Sequence, residues 1–224
     1  MITGYYSDKR NSRSSNGAYI IRLEYDGKTV KDIKTTYCEF PSETLKAYES
    51  EKVKKRMDKK ESKEGDLEAS NLYFDKIVFS EDGSVLIIGE EYYVVSHTYS
   101  NGKTSYTTYT YYYEDLLVLK ADKNGKTVWC TKIPKAQSGS GTAYLSYFHK
   151  NFNGEDYFFY NEGRDFISAK LDQRGNMTKS TIFNTKTEDV YVYPRSFESV
   201  NKNVMVDRQR TDRKESKIFR MEIR

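Results

Sequence analysis

Hydrophobic and polar residues alternate with a period of two over short runs along most of this chain. Ile21/Leu23 and Leu117/Leu119 are clear instances, and such alternation marks half-buried strands. The runs break at Asp26-Gly27, Glu81-Asp82-Gly83-Ser84, Asp122-Lys123-Asn124-Gly125 and Asp172-Gln173-Arg174-Gly175. Gly supplies the positive φ that a tight hairpin needs at such sites. Close spacing of strands and turns, without intervening helical patterns, argues against βαβ units.

The pattern also repeats. Asp115 to Gly125 aligns without gaps on Asp165 to Gly175 at an offset of 50, with Asp115/Asp165, Lys120/Lys170, Asp122/Asp172 and Gly125/Gly175 identical. Gly17 to Val30 is an earlier copy, and its Gly27-Lys-Thr-Val30 recurs at Gly125 to Val128. Lys217 to Arg224 is a degenerate last copy. Each copy reads as strand, turn, strand. Further strands are expected before it at Ile2–Ser7, Phe74–Phe79 with Val85–Val95, Ala143–Phe148 with Tyr157–Asn161, and Val190–Phe197 with Val204–Asp207. A unit is then four short antiparallel strands in roughly 45–60 residues, the size of a propeller blade. The expected fold is all-β: a single domain over residues 1–224, a β-propeller-like array of about four blade units, of which the first lacks its opening strand and the fourth its closing strand, with the C-terminal portion of a longer propeller as the alternative. A sandwich is the runner-up, but it does not require the 50-residue echo.

Two segments interrupt the repeat. Residues 42–65 are highly charged, with Ser42 as a potential N-cap and Gly65 as a stop, and predict one inserted helix. Leu45, Tyr48, Val53 and Met57 spread around about half of the helical wheel, so this helix is expected at the surface. Residues 96–113, SHTYSNGKTSYTTYTYYY, predict an extended hairpin turning at Asn101-Gly102-Lys103. Tyr99, Tyr106, Tyr109, Tyr111 and Tyr112 are the candidate binding residues there. A tyrosine joins an apolar ring to a polar tip, which suits a protein or glycan partner. The competing reading is a ribbon whose rings cover one another across the strands.

Composition narrows the chemistry. The chain has 224 residues, 37 Lys+Arg against 33 Asp+Glu, and a net charge of +4, too mild for a dedicated nucleic-acid binder. Lys52–Lys63 and Arg208–Arg224 are basic, but Asp58, Glu61, Asp212 and Glu215 interleave them, so nucleic acid is not favoured. The 21 Tyr and 11 Phe provide large buriable groups and argue against disorder. No apolar run approaches a membrane span, and the residues before Ile2–Ser7 carry no export signal. With two His, His97 and His149, a three-His zinc site is excluded. Both are expected at loops or strand ends. No P-loop, GxGxxG or GxSxG occurs, and no metal or other cofactor is expected. Cys38 and Cys130 lie in strand-like stretches, and the favoured reading is two free, half-buried thiols.

An ordered series of motifs carries a resemblance. It runs Ile88-Gly89-Glu90-Glu91-Tyr92-Tyr93, Tyr113-Glu-Asp-Leu-Leu-Val-Leu-Lys120, Gly125-Lys-Thr-Val-Trp129, Ile133-Pro-Lys135-Ala-Gln137 and Tyr157-Phe-Phe-Tyr160-Asn161-Glu162. The series resembles a group of uncharacterised secreted proteins from Bacteroidetes-type bacteria, over roughly Pro41 to Arg224. Glu162 departs from the Asp expected after Tyr-Asn. The resemblance implies a propeller-like domain and a periplasmic or extracellular life, with cytoplasmic residence the alternative for a chain lacking an export signal. It implies no activity. The Gly-Lys-x-x-Trp turn also resembles blades of quinone-dependent dehydrogenases, but it occurs once, at Trp129, and no quinone is inferred.

The functional expectation is a non-catalytic binding or scaffolding module of the bacterial cell envelope, meeting a protein or glycan through the Tyr-rich ribbon. The alternative is a glycan hydrolase or lyase using carboxylates among Glu90, Glu91, Asp115, Glu155, Asp156 and Asp165. A chain complete as written has to close its partial units on themselves or pair with a second copy, which makes a homo-oligomer the corresponding expectation.

Overall fold

The computed structural model describes residues 1–9, 13–188, 190, 192–210 and 216–223. They are mostly β-strand, arranged in antiparallel sheets, with two α-helices. Contacts group the chain into two compact units, residues 1–92 with 115–134 and residues 93–114 with 135–224.

In the first unit, β1 (Ile2–Tyr6), β3 (Gly17–Tyr25) and β4 (Val30–Glu39) form a sheet in the order β1-β3-β4. Between them the two-residue β2 (Ser14–Ser15) pairs with β5 (Ala69–Ser70). β6 (Leu72–Phe79) pairs with the first half of β7 (Val85–Ser100), with Leu72 opposite Glu91 and Phe79 opposite Val85. The last part of β8 (Ser105–Ala121) pairs with β9 (Thr127–Ile133), with Leu116 opposite Ile133. Ala18, Ile20, Cys38, Val85, Ile87, Leu117 and Leu119 are among the residues of this unit's core.

The charged insertion differs from the single helix expected over 42–65. It forms α1 (Ser42–Lys46) and α2 (Glu51–Glu64). Ala47 leaves the helical region at a ψ of 139°, and Tyr48 after it takes a left-handed φ of 64°, so α1 stops and the chain turns before α2. Ser50, not Ser42, supplies the side-chain cap, accepting the Val53 amide at 3.4 Å. Gly65, at φ 87°, closes α2 by donating its amide to the Glu61 carbonyl at 2.8 Å. α2 buries no residue; α1 buries Leu45, and Lys46 ties the two helices together through Asp58 and Glu61.

In the second unit, β10 (Gln137–Gly139) pairs with β8 at Tyr111 to Tyr113. β11 (Tyr147–Phe152), β12 (Glu155–Glu162), β13 (Asp165–Leu171) and β14 (Met177–Asn184) form a four-stranded meander in chain order. β15 (Glu198–Ser199), β16 (Val204–Arg210) and β17 (Ser216–Glu222) form a three-stranded one. Phe159, Phe166, Val192, Phe197, Met205 and Ile223 make the core, with Phe148, Phe183 and Phe219 packed on it.

Two strand expectations fail here. Ala143 to Ser146 is not strand; Ser146 has a φ of 72°. Gln137 replaces the missing ladder there, accepting the Ser146 amide at 2.7 Å and donating to the Ser146 carbonyl at 3.3 Å. Of Val190–Phe197, residues 194–196 form a 3-10 helix, and Tyr191 lies outside the described residues. Pro194 lacks the amide a strand would use, and the buried Asp207 carboxylate accepts the Ser196 hydroxyl and the Tyr193 amide.

The repeat survives as structure. The first sheet has three strands, the central meanders hold the hairpin that the Asp-x-x-Gly turn closes, and the last sheet has three.

Candidate functional site

Residues 93–114 form a two-stranded ribbon from the last part of β7 and the first part of β8. Its turn is set locally. Asn101 accepts the amides of Lys103 (3.0 Å) and Thr104 (2.8 Å) on its side-chain oxygen, and Gly102 takes a φ of 83°. The register then follows. Thr98 and Thr107 share a hydroxyl hydrogen bond at 3.0 Å, and the Thr108 hydroxyl donates to the His97 carbonyl at 3.5 Å. Tyr99 stacks on Tyr106 with centroids 5.1 Å apart, and Tyr93 stacks on Tyr112 at 4.7 Å.

Opposed residues of an antiparallel pair share a face. Tyr93, Tyr99, Tyr106 and Tyr112 therefore line one face of the ribbon. The two stacks are separated by six positions, about 20 Å along the strand. Tyr109 and Tyr111 point to the opposite face. Of the five tyrosines singled out from sequence, three share a face and two do not. Tyr93 completes the set and was missed; counting outward from the Asn101-Gly102 turn pairs it with Tyr112.

The ribbon is graded. Tyr99, Tyr106 and Tyr109 expose more than half of their surface, whereas Tyr113, at its base, is buried. The Tyr113 carbonyl accepts from the buried Lys135 ammonium at 3.0 Å, and the Arg195 guanidinium lies 5.1 Å from its ring centroid. Lys135 also donates to the Gln137 side chain at 3.0 Å. Cross-strand ring stacking, the competing reading from sequence, is present at Tyr93/Tyr112 and Tyr99/Tyr106.

The carboxylates weighed for hydrolysis are dispersed. Glu91 and Asp115 line one cavity of about 260 Å³, with Glu49, Glu68, Lys60 and Lys132. The Lys132 ammonium, buried, holds Asp115 at 3.2 Å and Glu49 at 2.7 Å and donates to the Leu45 carbonyl at 3.1 Å. Burial works to lower the Lys132 pKa, but these two carboxylates outweigh it and raise it. Glu155 pairs with Lys170 at 3.0 Å and accepts the Tyr157 hydroxyl, and these contacts hold its carboxyl below the usual range. Asp165 accepts from the Asn184 amide at 2.8 Å. Glu90 is buried.

Asp156 is buried beside His149, with Nε2 to Oδ1 at 2.9 Å, and also accepts from the Asn151 amide at 3.0 Å. His149 thus lies inside β11, not at a strand end or loop, because Asp156 and the Phe158 ring surround it. His97 is exposed near the end of β7.

Cys38 and Cys130 are free. Cys38 is buried and donates its thiol to the Gly125 carbonyl at 3.2 Å. Burial pushes the Cys130 thiol up to about 12. Among the described residues no group of three or more His, Cys, Asp or Glu is arranged to hold a metal ion. No helix among them is long and apolar enough to cross a membrane. The lysines of α2 are partly tied up in ion pairs, Lys54 with Glu51 and Lys60 with Glu68. In the second basic stretch, Arg208–Arg224, residues 211–215 and 224 lie outside the described residues, Asp212 and Glu215 among them.

No protein-family model, curated protein or solved structure matches the chain.

Proposed function

We propose that this protein is a non-catalytic binding module whose partner is a protein, met by the Tyr93/Tyr99/Tyr106/Tyr112 face of the ribbon. The four successive sheets are read as blades of a propeller-like array, which serves as the rigid platform. The paired stacking on one exposed face carries the proposal. Stacking occupies one face of each ring and fixes its orientation before binding, so little side-chain entropy is lost on contact. What remains outward is ring edge and hydroxyl, with threonine hydroxyls between the two stacks. That chemistry fits the carbonyls and aliphatic side chains of a protein surface better than the flat stacking that a sugar ring requires. A bacterial cell-envelope location rests on the resemblance of the motif series alone.

The hydrolase or lyase alternative needs a carboxyl group with a raised pKa close to a second one that is ionised. Lys132 tethers Asp115, and Glu155 is lowered, which weakens that reading.

The test is capture from a bacterial envelope extract by the immobilised chain and by a Tyr99→Ala/Tyr106→Ala variant. The expected result is a discrete partner lost with the variant. Protease treatment of the extract abolishes capture and periodate treatment leaves it. Equal capture by the variant overturns the ribbon as the contact surface. Loss on periodate but not on protease replaces the protein partner with a glycan.

A further inference from the structure

The sheet β1-β3-β4 has two unlike faces. Strand pairing assigns them: Ala18 opposes Cys38, Ile20 opposes Thr36, Arg22 opposes Lys34 and Glu24 opposes Asp32. Ala18, Ile20 and Cys38 belong to the core, and beyond them this face turns charged, as a face entering water should.

The other face does the reverse. Tyr19 opposes Tyr37, Leu23 opposes Ile33, and from β1 Ile2 opposes Ile21. Ile2, Leu23, Tyr25, Val30, Ile33 and Tyr37 each expose 39–66% of their surface. The paired positions of this face carry no charged side chain from Leu23 and Ile33 as far as Tyr19 and Tyr37. It is also built rather than ragged. The Tyr19 ring lies over Gly4, where a Cβ would come within 2.8 Å of its hydroxyl, and Tyr6 packs edge-on against Tyr37 at 5.1 Å.

The outer face of the last sheet differs: there Ile218 is joined by Arg220 and Glu222, which form an ion pair at 3.7 Å. A sheet face bound for solvent carries such charges, and an extended apolar one marks a contact surface. The six exposed side chains present on the order of 600 Å², at the upper end for the largest patch of a monomer and near the ~800 Å² per partner of a standard interface.

We infer that this face is a homodimer interface, on which a second copy of the chain packs the same face across a two-fold axis. A two-fold contact brings each residue against the same surface of its twin, so charges on it would repel like charges. The stretch from Leu23 and Ile33 to Tyr19 and Tyr37, aromatic and aliphatic, satisfies that condition, and the one exposed carboxylate of the paired positions, Glu39 opposite Gly17, stands at its edge. The product is a two-layer sheet packing of the kind found in β-sandwiches, about 10 Å between layers.

Sedimentation velocity on the full chain tests this. The wild type is expected as a dimer at about 50 μM, a concentration at which even a contact of micromolar affinity is mostly formed. Ile33→Lys/Tyr37→Lys is expected to be monomeric, its dissociation constant raised at least ~100-fold by charge placed in the contact. Both positions are exposed, so far-UV circular dichroism should match the wild type. Lys34→Glu, on the opposite face, should remain dimeric. A wild type that stays monomeric at that concentration overturns the inference. So does a dimer that survives the double substitution, since it then uses another surface. Neither result bears on the tyrosine ribbon, which lies on other residues.

Discussion

The carboxylate of Asp122 accepts the amides of Asn124 and Lys126 at 2.8 and 2.9 Å, and that of Asp172 accepts those of Arg174 and Asn176 at the same two distances. In each, the aspartate amide donates to the carbonyl four residues on, and the glycine amide returns to the aspartate carbonyl. The sequence echo is thus an echo of hydrogen bonds. Hydrogen bonds to the ionised form hold both carboxyls below their usual value, led at Asp172 by the Asn176 side-chain amide at 2.9 Å and at Asp122 by the Lys126 backbone amide.

Acid sensitivity follows. A depressed folded pKa contributes stability that is full above the unfolded Asp value and is lost as pH falls through the folded value. Asp26 and Asp82 are lowered by turn contacts in the same way. The melting temperature should therefore drop as pH falls below the unfolded Asp value of about 4. Asn can accept the same amides without titrating, so Asp122→Asn/Asp172→Asn should show a shallower drop. An unchanged slope in thermal melts across that range would refute the assignment.

Two turn glycines should separate strain from collision. Gly27 has a φ of 91° with nothing within 4 Å of the place where an alanine methyl would sit, whereas Gly125 has a φ of 82° and a Cβ there would collide with the Thr36 hydroxyl. Gly27→Ala should cost about 1 kcal/mol, the left-handed strain alone. Gly125→Ala should cost about 2–3 kcal/mol, since Thr36 must also move. Urea unfolding of the two variants reads the difference, and equal losses would contradict it.

Asp156→Ala should destabilise by about 3 kcal/mol, because it removes one acceptor that serves both His149 and Asn151 in a buried site. The measurement is chemical denaturation near neutral pH. A loss under about 1 kcal/mol would mean that the pair is not structural.

Along the ribbon, Tyr113→Ala should cost about 3–4 kcal/mol, as expected for truncating a buried aromatic side chain. Tyr99→Ala should cost no more than about 1 kcal/mol, because it gives up one exposed stack. Thermal unfolding of both variants checks the gradient, which also decides whether ribbon variants can be used in binding assays.

The thiols should be silent in the folded protein. Cys38 is buried and the Cys130 pKa is pushed up to about 12, so neither forms thiolate readily at about pH 8. A chromogenic disulfide reagent should find both in denaturant and react slowly, if at all, before unfolding.

Much of this architecture is local and was legible in order along the chain. The Asp-x-x-Gly turns depend on one carboxylate and one positive φ within five residues. The ribbon depends on Asn101 and Gly102, and period-two alternation marks the strands between.

Other features depended on contacts across the fold. Nothing in SETLKAYESE marks Ala47 and Tyr48 as the break between α1 and α2, and Asp207, remote in sequence, holds Pro194–Ser196 in a 3-10 turn. His149 is drawn into β11 by a carboxylate seven residues away and a phenylalanine ring.

The Ile21/Leu23 alternation makes the same point for β3. Alternation identifies a strand and sorts its side chains into two sets, and here the sequence by itself did both. Ala18 and Ile20, not Ile21 and Leu23, enter the core. Period two separates faces without naming the inner one, and where both faces are apolar only packing against β6 to β9 and the helices decides which is covered.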